Sequence, residues 1–157
     1  MPVVDLAALS ICLANRQRLL GLDVGTKTIG LAVSDTIGMT ASPVETIART
    51  KFTADAARLA TIIAERKIGG LVIGLPINMD GSEGPRCQST RQFAANLLTK
   101  LDLPMAFWDE RLSTAAVERQ MIEADMSRKR RAETVDKAAA AYILQGALER
   151  LRRLGMS

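Results

Sequence analysis

The apolar positions along the chain change their period several times, and each change marks an element. Leu19-Leu20-Gly21-Leu22 is an apolar run that ends on Asp23, and Ile29-Gly30-Leu31-Ala32-Val33 is a second that ends on Ser34-Asp35. Val24-Gly25-Thr26-Lys27-Thr28 between them has glycine turn chemistry, so the pair reads as a hairpin. A third short strand fits Pro43 to Ala48. Thr53 is the expected cap of a helix whose apolar positions Leu59, Ile62 and Ile63 recur at helical spacing. Gly69-Gly70 is expected to stop that helix. Leu71-Val72-Ile73-Gly74-Leu75 is apolar throughout, as in a central strand covered on both faces. Pro76 to Gln88, rich in Pro, Gly, Asn and Asp, reads as a long loop, and such loops in compact domains are usually functional or mobile. A second amphipathic helix carries Phe93, Leu97 and Leu101. Pro104 opens a strand from Met105 to Trp108, which runs into Asp109 and Glu110. Ser113 or Thr114 then caps a helix with Val117 and Met121. Beyond a basic loop, Thr134 caps a last long helix with Val135, Ala139, Tyr142, Ile143 and Leu151. The order β-β-β-α-β-α-β-α-α predicts an α/β fold, a mixed central sheet with helices on its faces.

At 157 residues and 48% hydrophobic, the chain has enough material for one domain with a proper core, expected over residues 18–157. Residues 1–17 read as an N-terminal extension, either poorly ordered or a short added element. The apolar run there, Leu6 to Ala14, has no basic leader and is too short to span a bilayer, so neither a signal nor an anchor is expected. Cys12 and Cys87 form no CxxC pair and read as incidental thiols of a cytosolic protein.

Charge adds a location. The net charge is +4, yet Ser127 to Ser157 holds eight Lys/Arg against three Asp/Glu, and the remainder holds 13 against 14. The positive excess therefore belongs to the C-terminal fifth, led by Arg128-Lys129-Arg130-Arg131. A polyanionic partner such as DNA or RNA explains it, as do helix ends that complement the macrodipole and keep the chain soluble.

The chain has no histidine, which excludes His-based acid–base catalysis, Ser-His-Asp triads and imidazole zinc sites. Carboxylates are what remain. Asp23 ends the first strand, Asp109 and Glu110 end the last, and Asp136 is expected in the first turn of the final helix. In open α/β sheets, sites form beyond the strand ends. Three ionised carboxylates about 5 Å apart repel by roughly 3 kcal/mol per pair at an effective dielectric near 20. Protons, basic side chains or hard cations must offset that. With oxygen donors only, Mg²⁺ or Mn²⁺ is the natural cation, and two such ions can drive phosphodiester hydrolysis. Neighbours on a strand point to opposite faces, so only one of Asp109 and Glu110 is expected to reach such a site. Each acid taken alone also reads as a turn former or helix cap.

Several of these residues fall in an ordered set. Gly21-Leu22-Asp23-Val24-Gly25-Thr26-Lys27, Ser34-Asp35 and Gly74-Leu75-Pro76-Ile77-Asn78-Met79-Asp80-Gly81-Ser82 come first. Asp109-Glu110-Arg111-Leu112-Ser113-Thr114, Arg128-Lys129-Arg130-Arg131 and Val135-Asp136-Lys137-Ala138-Ala139 follow. Together they closely resemble the bacterial YqgF-type family, described both as pre-16S rRNA nucleases and as Holliday-junction resolvases. The resemblance runs from about Arg18 to Arg150. It implies a ribonuclease H-like fold, a cytoplasmic location and metal-dependent nuclease action in maturing the 5′ end of small-subunit ribosomal RNA. It also implies that Asp23, Glu110 and Asp136 are the catalytic, metal-holding carboxylates, and so selects Glu110 over Asp109. Thr28 stands where many relatives carry Arg, which thins the positive rim beside Asp23.

Nucleic-acid contacts are expected from Lys27, Arg111 and Arg128, Lys129, Arg130 and Arg131. For Lys27 and Arg111 a salt bridge that neutralises the neighbouring acids is an equal alternative. Asn78, Asp80 and Ser82 are candidate loop contacts, or residues that hydrogen-bond their own backbone to shape the turn. Trp108 is expected in the core. With 3% aromatics, shape and phosphate contacts rather than base stacking should carry affinity, with strong salt dependence.

Three functions follow. The first is a nuclease on structured RNA, its variant a resolvase on branched DNA, for which a twofold dimer rather than a monomer is expected. The second is an actin- or sugar-kinase-type ATPase, suggested by Asp23 to Thr28 but requiring a second lobe for which the chain is too short. The third is a non-catalytic RNA-binding assembly factor. No membrane partner is expected.

Overall fold

The computed structural model describes residues 3–12, 17–112 and 128–154, without the side chains of 10–12 and 128–136. Strands β1 (Arg18–Val24), β2 (Thr28–Ser34), β3 (Ala41–Ala48), β4 (Ile68–Leu75) and β5 (Met105–Asp109) form one sheet in the order β3-β2-β1-β4-β5. β1 runs antiparallel to β2 and parallel to β4, and β4 runs parallel to β5. The sheet is therefore mixed, as expected. The β1–β2 hairpin closes with Gly25 N–H on the Thr28 carbonyl at 2.8 Å. Among the described residues the helices are α1 (Leu6–Cys12), α2 (Phe52–Glu65), α3 (Pro85–Leu98) and α4 (Arg128–Arg153), and a 3₁₀ turn, Glu110–Leu112, follows β5.

Alternation along the strands divides the core in two. Leu20, Leu22, Val24, Leu71 and Ile73 face α2 and α3 and pack with Leu59, Ile62, Phe93 and Leu97. Leu19, Val72, Ala106 and Trp108 face the other way and pack with Ala140, Ile143, Leu144 and Ala147 of α4. β4 is buried along its whole length, which requires helices on both faces and accounts for its unbroken apolar run.

Element boundaries depart from the sequence reading in several places. Gly69 and Gly70 do not stop α2; they lie inside β4. The helix ends at Glu65, and the left-handed residue beyond it is Lys67, with φ 55°. Gly70 is needed for space, because a Cβ there would lie 2.7 Å from Leu9 Cδ1. Lys51, not Thr53, is the cap residue of α2, and the Asp55 carboxylate accepts the Thr50 N–H at 3.2 Å. α3 starts at Pro85, so the preceding loop is shorter than Pro76 to Gln88, and Leu101 lies beyond the helix. Proline suits that first position, since its φ is already helical and its missing N–H has no intrahelical partner. β3 starts at Ala41, where the Gln145 side chain accepts the backbone N–H at 3.0 Å.

The largest departure concerns α4. Arg128 to Arg131 form no loop but the opening of this 26-residue helix, which spans about 39 Å. Arg, Lys, Ala and Glu favour helix, so the helix begins before Thr134. Asp136 consequently lies well inside α4 and not in its first turn. The helix expected after Ser113 or Thr114, with Val117 and Met121, falls outside the described residues. At the other end of the chain, Val3 bridges Met105 in parallel and Val4 N–H donates to the Met105 carbonyl at 2.8 Å. Leu9 of α1 is fully buried, so this stretch covers the β5 edge and joins the core.

Candidate active site

The side-chain parity that divides the core also sorts the acids. Along β1, Leu19 and Gly21 lie under α4, where a Cβ on Gly21 would meet Leu144 Cβ at 2.8 Å and the Ala140 carbonyl at 3.0 Å. Asp23 is the next residue in that series and is only 4% exposed. Along β5, Ala106 and Trp108 lie under α4, and Glu110 follows them, 7% exposed. Asp109 belongs to the opposite series with Met105 and Phe107. Asp23 and Glu110 therefore share one face and one edge of the sheet, and Asp109 does not.

Between β1 and β5 runs β4, whose residue at this level is Gly74. It pairs with Trp108, and its predecessor Ile73 pairs with Leu22. A Cβ on Gly74 would lie 2.5 Å from Ile143 Cδ1 and 3.2 Å from Glu110 Cγ. Glu110 thus leans back over a position with no side chain, toward the strand that carries Asp23. A glycine inside a strand commonly marks such a close approach.

α4 crosses this face lengthwise. Lys137 shares a cleft with Thr28, Thr46 and Ala48 at the carboxyl end of β1. At the far end, Gln145 donates to the Met39 carbonyl at 3.1 Å and Arg152 to the same oxygen at 2.9 Å. The helix therefore passes over the Asp23 edge early in its course. Asp136 is placed on it one turn ahead of Ala140, the residue over Gly21; its side chain is outside the description, as are those of Arg128, Lys129, Arg130 and Arg131. Among the described residues no group of three acidic or sulfur ligands gathers around one point.

The remaining candidates separate clearly. Arg111 is committed to Asp109: Nη2 meets Oδ2 at 2.7 Å and Nε meets both oxygens at 3.1 Å. Asp109 also accepts the Arg111 backbone N–H at 2.9 Å. The Arg111 guanidinium holds the Asp109 carboxyl below its ordinary value. The salt-bridge alternative is thus realised for Arg111, on Asp109 and not on Glu110. Lys27 is exposed in the hairpin turn, and its side chain makes no ion pair among the described residues. Asn78, Asp80 and Ser82 bond to each other. Asp80 Oδ1 accepts the Ser82 hydroxyl at 2.6 Å and its N–H at 2.9 Å, and Asn78 donates to Ser82 Oγ at 3.0 Å. These bonds, the hydroxyl first, keep Asp80 ionised below its ordinary range, helped by the nearby Arg111 charge. Gly81, at φ +91°, completes the turn. Trp108 is a core residue, packed under Gly146, where a Cβ would lie 2.9 Å from its ring.

Two arginines that the sequence reading passed over reach the same edge. Arg49 Nη1 donates to the Gly25 carbonyl at 2.6 Å and its guanidinium lies 5.1 Å above the Phe93 ring. Arg86 Nη2 reaches the Val24 carbonyl at 3.5 Å. Neither lies in a motif, and only the fold brings them beside Asp23.

The sequence model of the RuvX family, described as Holliday junction resolvase, matches residues 17–150. The chain belongs to the RuvX family. A relative from Roseobacter denitrificans, named "Putative pre-16S rRNA nuclease", is 62% identical over 154 residues, covering 97% of this chain and 94% of its own length. Relatives of the same name from Paramagnetospirillum magneticum and a Ruegeria species are 61% and 66% identical, over 95% and 92% of this chain and 96% and 92% of their own lengths. Among solved structures, Thermus thermophilus RuvC in complex with a Holliday junction superposes with a TM-score of 0.58 at 13% identity, covering 89% of this chain and 98% of that one. A second structure of Thermus thermophilus RuvC superposes with a TM-score of 0.54 at 12% identity, covering 89% of this chain and 98% of that one. The RuvX chain thus has the ribonuclease H-like α/β fold expected of it, and its family makes it a nuclease, a hydrolase of phosphodiester bonds. No described helix is long and apolar enough to cross a membrane.

Proposed function

We propose that this RuvX-family chain is a metal-dependent nuclease that trims the 5′ region of pre-16S rRNA in the cytoplasm, with Asp23, Glu110 and Asp136 as its metal-holding carboxylates. One observation carries the reading: Asp23 and Glu110 are both buried, on one face and one edge of the sheet, with the side-chain-free Gly74 between their strands. Burying two carboxylates together is costly unless a counter-charge is supplied. The donor set is all hard oxygen and the chain has no histidine, which fits Mg²⁺ or Mn²⁺. When bound, such an ion polarises a phosphoryl oxygen and acidifies a coordinated water.

The protein's own share is positional. Pairing along β1 fixes Asp23, the 3₁₀ turn directly after β5 carries Glu110, and α4 presses on Gly21 and Gly74, which limits water at the buried side of the pair. Asp136 enters on α4 at the same edge. Exposed Lys27 is available to phosphate oxygens, and the basic opening of α4 supplies sequence-independent attraction to the backbone. The pre-16S substrate rests on the names of the relatives at more than 60% identity. A second reading, resolution of branched DNA by a homodimer, rests on the family's own description.

The test is cleavage by wild type and Asp23→Asn, with Mg²⁺ or Mn²⁺ and with EDTA, on a pre-16S 5′ leader and on a four-way DNA junction. Metal-dependent cutting of the RNA that Asp23→Asn abolishes is the expected result. Preferential cutting of the junction selects the resolvase. Tight, salt-sensitive binding without any cutting selects a non-catalytic assembly factor.

A further inference from the structure

We propose that Arg86 is a substrate-binding residue that holds a phosphate of the nucleic-acid strand at the carboxyl edge of β1, beside Asp23; the assignment rests on the nuclease reading above.

Four other arginines are already engaged within the fold. Arg111 is taken up by Asp109, Arg91 by Glu83 at 2.6 Å, and Arg58 by Glu45 at 2.7 Å. Arg49 is half-buried, bonded to the Gly25 carbonyl at 2.6 Å and laid on Phe93. Its backbone N–H also donates to the Lys27 carbonyl at 2.8 Å. These four side chains are parts of the structure. Arg86 is not. It is exposed, and among the described residues its guanidinium makes one contact, the 3.5 Å approach to the Val24 carbonyl. That distance is at the outer limit of a hydrogen bond. A guanidinium has five N–H donors in a planar fork that suits phosphate oxygens, so nearly all of its capacity is unspent.

Its place gives the capacity a use. Val24 directly follows Asp23, whose side chain points to the α4 face, whereas Arg86 comes from α3 on the opposite face. A strand passing over the carboxyl edge would meet the acids on one side and Arg86 on the other. The acids repel phosphate, and a cation here offsets that repulsion where the chain must come closest. Arg49 braces the adjoining turn at the Gly25 carbonyl, next to the Val24 carbonyl that Arg86 reaches. Lys27 is the one basic side chain of the hairpin turn, and Arg86 adds a second cation to this edge from α3.

The experiment measures binding of the pre-16S leader to Asp23→Asn protein, with Arg86 kept, changed to Ala or changed to Lys, across a salt series. Arg86→Ala should weaken binding about 10-fold and reduce the slope of log K against log salt by roughly 0.7, one single-strand phosphate contact. Arg86→Lys should recover the slope, because the charge remains, but only part of the affinity, because the fork is lost. A structural residue would not move the slope, and unchanged melting of the variants checks the fold. Unchanged affinity and slope in Arg86→Ala would overturn the assignment. Cleavage by the Arg86-containing wild type is scored separately, so a failure of the nuclease reading shows there and not in the binding series.

Discussion

The two faces of the central sheet are built from different residues. Toward α2 and α3 the strands present Leu20, Leu22, Leu71 and Ile73, and the helices answer with Leu59, Ile62, Phe93 and Leu97. Toward α4 the strands interleave Gly21, Ala32, Gly74 and Ala106 with Leu19, Val72 and Trp108, and the helix sets Ala140, Gly146 and Ala147 among Ile143 and Leu144. The first face stabilises the domain through the bulk of its side chains. The second brings a helix close enough that single atoms decide what fits. Both buried acids, Asp23 and Glu110, continue the strand series of the second face. The small residues on this face serve placement: they hold α4 against the edge that carries both acids.

Substitutions on the two faces should therefore fail differently. Gly74→Ala is expected to have the largest effect, because its Cβ would lie 2.5 Å from Ile143 Cδ1 and 3.2 Å from Glu110 Cγ. Overpacking should lower stability by about 1–3 kcal/mol. Displacing Glu110 by a fraction of an ångström or more should lower cleavage by up to about 100-fold. Melting and specific activity, measured on the same preparation, separate the two losses. On the other face, Leu71→Ala removes a fully buried side chain and should cost about 2–5 kcal/mol of stability in a denaturant titration. Its folded fraction should cut at close to the wild-type rate. A Leu71→Ala protein that is stable but inactive would break the division between faces.

The smallest effect concerns the surface. The Arg91 guanidinium holds the Glu83 carboxyl below its ordinary value. A carboxyl with a depressed folded-state pKa contributes stability that is present above its unfolded pKa and lost as pH falls through the folded one. Glu83→Gln should thus lower the melting temperature slightly at neutral pH, and the gap to wild type should close as pH falls below about 4. Both partners are substantially solvent-exposed, so screening keeps the shift small. A gap that persists unchanged in acid would assign it to packing instead.

Much of this architecture was legible in sequence, for stateable reasons. Every strand but β3 was visible as a short apolar run, and the unbroken burial of β4 is what its apolar run implied. Asp23 stood out because it ends such a run. The parity that separates Asp109 from Glu110 was also readable in principle, since neighbours on a strand alternate, but which face α4 would cover was not. Gly69-Gly70 misled because glycine ends helices and also makes room, and Leu9, far away in sequence, is what occupies that room. The Arg128 to Arg131 run misled in the same way, since charge clusters suit loops and helix openings equally. Arg49 and Arg86 left no local signal, for their meaning lies in carbonyls 24 and 62 residues away.

The central claim is that face parity puts Glu110, and not its neighbour Asp109, in one site with Asp23. It is tested most directly by comparing metal-dependent cleavage of the pre-16S leader by Glu110→Gln and Asp109→Asn, with melting measured on both. The account predicts that Glu110→Gln, though folded, abolishes cutting, whereas Asp109→Asn loosens Arg111 and keeps most of the activity. Cutting retained by Glu110→Gln and lost by a folded Asp109→Asn would contradict it.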